Sequence, residues 1–188
     1  MPAVSQVASE VVRQIFDRVA SDLSMLADRD ITVGEVTYEE RSDRAVGQGT
    51  VHIAYRFGVR TGGDAVEHGV LLVPLSESIA LAGYLMMAPD DQVAEMRGKD
   101  EVEASVREAM LEVGNFVAAA AEAALRGLGA KCERVIFEGC QGVRADVRPT
   151  LEYEDGQPLA VGRSTFAVAG EPAAEVIVML PLDGYLGA

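Results

Sequence analysis

The sequence predicts one α+β domain over residues 1–188, with a mixed, largely antiparallel sheet packed against long helices. Patterns typical of helices and strands follow each other in the order helix, strands, helices, strands. The chain has 188 residues, of which 49% are hydrophobic, enough to fill one core and short for two ordinary domains. Short glycine-containing turns between β-branched segments favour antiparallel pairing.

The first half begins with a predicted helix over residues 4–26. Its apolar side chains recur every three or four positions, at Val4, Val7, Val11, Ile15, Val19, Leu23 and Leu26. Segments 31–40, 49–59 and 68–74 are rich in β-branched and aromatic residues and predict strands. In the middle strand Tyr55 and Phe57 should point to one face and Ala54 and Arg56 to the other. Residues 61–64, Thr-Gly-Gly-Asp, predict a hairpin turn into the third strand.

The second half begins with a predicted helix over residues 75–87, with Ser76 as its N-cap, and a short helix starting at Pro89. A long helix is predicted over 100–128, ended by Gly127 and Gly129. Strands are predicted at 133–137, 159–168 and 174–182, with a polar segment over 148–158.

Two segments of the chain resemble each other. Residues 10–17 can be laid over residues 108–115, and each segment lies in a long helix that leads into an Ile- or Val-rich strand. Two explanations are open: a duplicated half with pseudo-twofold symmetry, or a chance similarity between amphipathic helices. Under duplication, the first copy carries Gln14 and Asp17 where the second carries Glu112 and Asn115.

Charge and composition exclude several function classes. The formal net charge is -14, and lysine occurs only at positions 99 and 131, so we expect neither nucleic acid nor an anionic membrane surface as a partner. The N-terminal segment lacks the basic and apolar regions of a signal peptide, and no apolar run reaches the roughly 20 residues of a membrane span. We therefore expect a cytoplasmic protein.

Other residues with potential chemistry form no recognisable site. Cys132 and Cys140 are not in a CxxC spacing, so two reduced, partly buried thiols are expected. No nucleophile with a local signature accompanies His52 or His68. The acids after Pro89 match no calcium loop and favour a helix start instead, and no phosphate-binding glycine loop is present. We expect no metal site and no cofactor of the chain's own.

The long helix carries the best chemical lead, because Asn115 is the only asparagine of the chain and lies inside it. Asparagine is a poor interior helix residue, since its amide competes with the backbone for hydrogen bonds. At about 100° per residue, Glu108, Glu112, Asn115 and Glu122 fall on the face opposite to the apolar stripe. Gly114 falls on the buried side, which predicts close packing there.

With these residues the chain resembles the CheC/CheX family of phosphatases, which act on the phosphorylated chemotaxis response regulator CheY. Glu112-Val-Gly-Asn115 matches the Glu-x-x-Asn signature, and residues 69–82 resemble the strand and helix that precede it. Two positions depart from the family pattern: Glu108 replaces the usual serine or aspartate, and Glu138 stands where a proline is expected. The single motif is closer to CheX-like members, which implies a homodimer.

The resemblance implies that the partner is a phosphorylated CheY-like receiver domain, which itself supplies a divalent cation and a lysine. Such a reaction needs an oriented water, which a neutral amide can align without repelling the phosphoryl group. We therefore assign Asn115 to water positioning, Glu112 to pairing with a basic residue of the partner, and Glu108 and Glu122 to a wider docking face.

A non-catalytic alternative remains open at this point. Glutamates on an outer helix face are usually no more than solvated surface. Relatives of the same fold in the flagellar switch are structural adaptors, so the chain could be a binding module that recognises a receiver domain without catalysis. The two functions differ in their dependence on Asn115: a phosphatase should lose turnover when its amide is removed, whereas an adaptor should be indifferent to the change.

Overall fold

The computed structural model describes residues 4–181, which fold into four helices and seven strands. The helices are α1 Val4–Ala27, α2 Leu75–Leu85, α3 Asp90–Arg97 and α4 Ala104–Gly127. The strands are β1 Ile31–Val33, β2 Thr37–Arg41, β3 His52–Gly62, β4 Ala65–Pro74, β5 Arg134–Val143, β6 Leu159–Val168 and β7 Ala174–Pro181. The predicted end of the last strand at residue 182 lies outside the described residues.

All seven strands form one sheet in the order β1-β6-β7-β4-β3-β5, with β2 also pairing β6. Every pairing among these strands is antiparallel. The α+β prediction is therefore confirmed, and the sheet is more uniformly antiparallel than expected. The hairpin is confirmed as well, since Gly62 pairs with Ala65 across the turn.

The strand order has the symmetry that two duplicated halves would give. One half is α1, β1/β2, β3 and β4, and the other is α4, β5, β6 and β7. The final strands, β4 and β7, meet at the centre of the sheet. The edge strand of each half pairs with the middle strand of the other half, β1/β2 with β6 and β5 with β3. This topology favours duplication over chance similarity.

Burial of apolar side chains on both faces of the sheet stabilises the fold. The helices cover one face, where Tyr55, Phe57 and Phe166 are fully buried. The other face packs against loop residues, among them Ala45 and Leu151. Most of β3 up to Val59 is therefore buried on both sides, although its alternating pattern is more typical of a strand with one solvated face. Within residues 4–181, no helix combines the length and the apolar character needed to cross a bilayer.

Several predicted boundaries are wrong, each for a local reason. The predicted strand over 31–40 is two strands, because residues 34–36 leave the ladder. Ser76 does not cap α2: the cap position is Pro74, and no side chain bonds the helix start there. The helix ends at Leu85 because Met87 adopts a left-handed backbone, with φ of +61°. The long helix starts at Ala104 rather than residue 100, since Glu103 is extended.

Strand β5 is longer than predicted. It continues to Val143, and its register with β3 shifts between Phe137 and Gly139. Glu138 is the extra residue of this bulge, and Gly139 has φ of +114°, a conformation that favours glycine. The bulge places polar side chains inside a strand, which is why the apolar pattern of the sequence ended early.

Candidate functional site

Helix α4 packs one apolar stripe on the sheet and on α1. Val106, Met110, Val113 and Val117 are buried along this stripe. Gly114 lies directly over the Phe137 ring: a Cβ atom built there would stand 2.2 Å from ring carbons Cε2 and Cζ. The close packing predicted at Gly114 is therefore confirmed. It seats the middle of α4 against β5 and fixes the position of the neighbouring Asn115.

The Glu112 and Asn115 side chains project from the opposite side of α4. Both residues are exposed. Asn115 Nδ2 lies 3.4 Å from Glu112 Oε2, longer than a normal N–H···O hydrogen bond. Within residues 4–181, Asn115 Oδ1 accepts no hydrogen bond from another side chain or from the backbone. The amide oxygen is therefore free to accept a hydrogen bond from water, while the amide nitrogen is loosely oriented by the carboxylate.

The two further glutamates of the predicted docking face differ from each other. Glu108 is exposed and, among the described residues, forms no ion pair. Glu122 instead uses both oxygens inside the fold: Oε2 accepts a hydrogen bond from Val135 N at 2.8 Å, and Oε1 pairs with Arg126 at 3.1 Å. Because Val135 belongs to edge strand β5, Glu122 ties α4 to the sheet. This structural use was missed, since the sequence does not show which face of α4 meets β5.

An open groove of ≈ 620 Å³ runs between α4 and β5, with Asn115 in its wall. The α4 side of the groove has the small side chains Ala118, Ala119 and Ala123, and the ion pair of Glu122 and Arg126 also lines it. The β5 side is residues 134–137. Asn115 is thus presented beside a recess rather than on a flat surface, with space for part of a partner molecule next to its amide.

The equivalent helix of the first half presents no such pair. Gln14, which corresponds to Glu112, donates a hydrogen bond to Glu10 at 2.9 Å. Asp17, which corresponds to Asn115, pairs with Arg13 at 3.1 Å. Gln14 is half-buried, and the exposed residue at the position of Asn115 is a carboxylate, so only the second half has an amide at that exposed position.

The side chains of both histidines and of Glu138 contact neighbouring groups of the fold. His52 is buried and its Nδ1 contacts Thr50 O at 2.9 Å. His68 lies between two glutamates, with Nδ1 at 2.9 Å from Glu138 Oε2 and Nε2 at 3.5 Å from Glu152 Oε2. Glu138, at the position expected to be proline, therefore contacts a histidine of β4 across the face of β3.

A larger cleft of ≈ 710 Å³ contains none of the predicted site residues. It lies between the ends of α1 and α3 and the turn from β6 to β7. Its two arginines are already paired: Arg29 contacts Asp90 at 2.9 Å, and Arg97 contacts the buried Glu77 at 2.9 Å. The volume of a cleft alone therefore does not identify the functional site. The smaller groove is favoured because the exposed amide of Asn115 lies in its wall.

The two cysteines are separate, half-buried thiols. Burial is the main cause that raises the pKa of Cys132 and of Cys140. A raised thiol pKa lowers the thiolate fraction at neutral pH, and with it the nucleophilicity of both side chains.

Comparison with known proteins identifies the fold. No protein-family model matches the chain, and no curated protein matches it. Among solved structures, FliY from Thermotoga maritima is similar at a TM-score of 0.70 and 16% identity, covering 98% of this chain and 92% of FliY. The FliM middle domain from H. pylori is similar at a TM-score of 0.64 and 10% identity, with 96% and 93% covered. The chemotaxis protein CheX from Desulfovibrio desulfuricans is similar at 0.56 and 16% identity, with 91% and 97% covered.

These neighbours confirm the predicted fold and leave both functions open. They include the chemotaxis protein CheX and a CheC-like protein from Shewanella on one side and the middle domain of FliM on the other. Identities of 10–16% are too low to transfer an activity. The chain has the CheC/CheX-like fold, which chemotaxis proteins share with FliY and with the middle domain of FliM.

Proposed function

We propose that this protein is a phosphatase of a phosphorylated CheY-like receiver domain. The observation that carries the proposal is the free amide oxygen of Asn115, exposed on α4 beside a groove and one turn from Glu112. The regular geometry of a helix holds the two side chains on one face, three residues apart. The fold, which CheX shares, is consistent with this activity.

In the proposed reaction a water oxygen attacks the phosphorus of the aspartyl phosphate, and the bond from phosphorus to the aspartate oxygen breaks. The products are inorganic phosphate and the aspartate carboxylate, and the water releases a proton. Asn115 Oδ1 accepts a hydrogen bond from the attacking water and holds it in line with the breaking bond. The divalent cation and the lysine that stabilise the phosphoryl charge belong to the receiver domain.

The neutrality of Asn115 matters for this chemistry. A carboxylate in the same place would repel the phosphoryl oxygens, whereas an amide orients water without adding a negative charge. Glu112 carries the negative charge one turn earlier, where it pairs with a basic residue at the rim of the partner's site. Glu108 extends this docking face, while Glu122 holds α4 on β5 and is assigned no contact with the partner.

The competing function is that of a non-catalytic adaptor, which the similarity to the FliM middle domain favours. Repeated release of phosphate by each protein molecule distinguishes a phosphatase from an adaptor. A small amount of this protein should accelerate phosphate release from a large excess of phosphorylated receiver domain, measured with a coupled phosphate assay. An adaptor would bind the receiver domain but release no phosphate beyond the receiver's own rate. That result would leave the adaptor function standing.

We further propose that the protein is a homodimer in the cytoplasm. The single Glu-x-x-Asn motif in each chain is the feature that supports it, through the resemblance to CheX-like proteins. Light scattering on the purified chain should give the mass of two copies, and a monomeric mass would contradict this part.

A further inference from the structure

The corner between α2 and α3 carries two exposed methionines, Met86 and Met87. Met87 is 91% exposed and Met86 44% exposed. A single exposed apolar side chain is normal on a protein surface. Two adjacent ones, both long and flexible, form a small apolar projection of the residue type that is over-used at adaptable binding surfaces. We call this pair the methionine corner.

The backbone of Met87 adds an independent observation. Its φ of +61° lies in the left-handed region, which glycine adopts without cost and residues with a side chain do not. Glycine is the usual residue where a helix ends this way. The bonds from Met87 N to Tyr84 O at 2.9 Å and from Ala88 N to Gly83 O at 3.0 Å hold the turn. Glycine would cost less at this position, and the exposed Met87 side chain contributes little to packing within the fold, so its use is better sought in a contact outside the fold.

The methionine corner borders the N-terminal part of α4. A groove of ≈ 340 Å³ lies there, with Met86, Met87 and Met96 on one side and Ser105 and Val106 of α4 on another, and the charged residues Glu95, Lys99 and Glu103 also line it. Methionine side chains adapt to irregular partner surfaces because they are unbranched and polarizable.

The groove is continuous with the proposed docking face. Ser105, Glu108 and Glu112 are spaced by three and four residues, so they follow one another along the same face of α4. All three are exposed. A partner that places a basic residue on Glu112 therefore reaches the methionine corner through the same surface of the helix.

The charges around the corner indicate what the partner must bring. Around the first turns of α4 the exposed acids Glu101, Glu103, Glu108 and Glu112 outnumber the cations Lys99, which pairs with Glu103 at 3.3 Å, and Arg107. A complementary surface has a basic rim and an apolar patch that covers the methionines. A receiver domain that presents its active-site lysine to α4 meets the charge requirement.

We propose that Met86 and Met87 are the apolar anchor of the receiver domain that docks on α4. This inference rests on the proposed function and extends its site from the Asn115 groove to the α2–α3 corner. The anchor touches no reacting atom, so it acts on docking: its removal raises KM and Kd and leaves kcat unchanged.

The test is Met87→Gly, which removes the side chain and is compatible with the left-handed backbone. We expect a higher Tm. For the phosphorylated receiver domain, Kd and KM should both rise about ten-fold, while kcat stays within about two-fold of the original. Met25→Ala is the matched control, because Met25 is 74% exposed on α1, and it should leave Kd and KM unchanged.

The outcomes separate this inference from the function on which it rests. If the unmodified protein releases phosphate from the receiver domain and Met87→Gly retains the original Kd and KM, the anchor is overturned while the phosphatase stands. If the unmodified protein binds the receiver domain without releasing phosphate, the phosphatase is overturned, and a loss of affinity in Met87→Gly still supports the anchor. A protein that neither binds nor dephosphorylates the receiver domain overturns both.

Discussion

Replacing Gly114 by alanine should destabilise the protein, although alanine is the better helix former. The new Cβ atom would lie 2.2 Å from two carbons of the Phe137 ring, and ordinary contact begins near 3.4 Å, so the ring or the helix must move by 1.2 Å (3.4 − 2.2). Overpacking of this kind costs about 1–3 kcal/mol, and the gain in helix propensity is about 1 kcal/mol. The expected net loss in free energy of unfolding is about 1 kcal/mol.

Urea unfolding followed by circular dichroism measures this loss. Gly127→Ala is the matched control in the same helix, because its nearest foreign atom would be 3.8 Å from the new Cβ, so it should stabilise by up to about 1 kcal/mol. In a Phe137→Ala background the clash is gone, and Gly114→Ala should then stabilise too. If Gly114→Ala stabilises the unmodified protein as much as Gly127→Ala does, α4 is not seated on the Phe137 ring as described.

Replacement of Glu122, Arg97 or Glu112 tests three further interactions. Glu122→Ala should lower the free energy of unfolding by about 1–2 kcal/mol, because Val135 N loses its acceptor, whereas Glu108→Ala should change it by less than about 0.5 kcal/mol; equal effects in urea unfolding would contradict the structural use of Glu122. Arg97→Met should cost about 3–5 kcal/mol near pH 8, since it leaves Glu77 buried and unpaired. Burial already raises the pKa of Glu77, so the folded state binds its proton more tightly than the unfolded chain does, and the deficit should shrink as the pH falls towards 5; a deficit independent of pH would refute this. The affinity for the phosphorylated receiver domain should fall as salt rises, less steeply for Glu112→Ala, and identical salt slopes would remove the proposed pairing of Glu112.

Much of the fold was predictable because its elements follow simple periodic patterns. The apolar stripes of α1 and α4 and the alternation in β3 gave the element order, and the resemblance carried by Glu112 and Asn115 gave the fold. The boundaries failed where a local backbone feature interrupts the pattern. Residues 34–36 leave the ladder, Met87 is left-handed, and Glu138 forms a bulge that puts polar residues inside β5.

For the candidate site, the sequence predicted which residues share one face of α4 but not what α4 packs against. The spacing of Glu112 and Asn115 placed both on the exposed face of α4, where the structure has them. Contacts between α4 and β5 depend on tertiary packing, so neither the groove beside Asn115 nor the bond from Val135 N to Glu122 could be foreseen. The distance of 3.4 Å between Glu112 and Asn115 likewise depends on side-chain conformations that a sequence does not specify.

The rate of phosphate release by Asn115→Ala under single-turnover conditions tests the role of the amide, with binding to the receiver domain measured separately by calorimetry. Asp17→Ala, at the corresponding position of the first half, is the matched control. We predict that Asn115→Ala releases phosphate at least about ten-fold more slowly while its Kd stays within about three-fold of the original, and that Asp17→Ala keeps the full rate. An unchanged rate for Asn115→Ala would contradict the assignment of its amide to the attacking water.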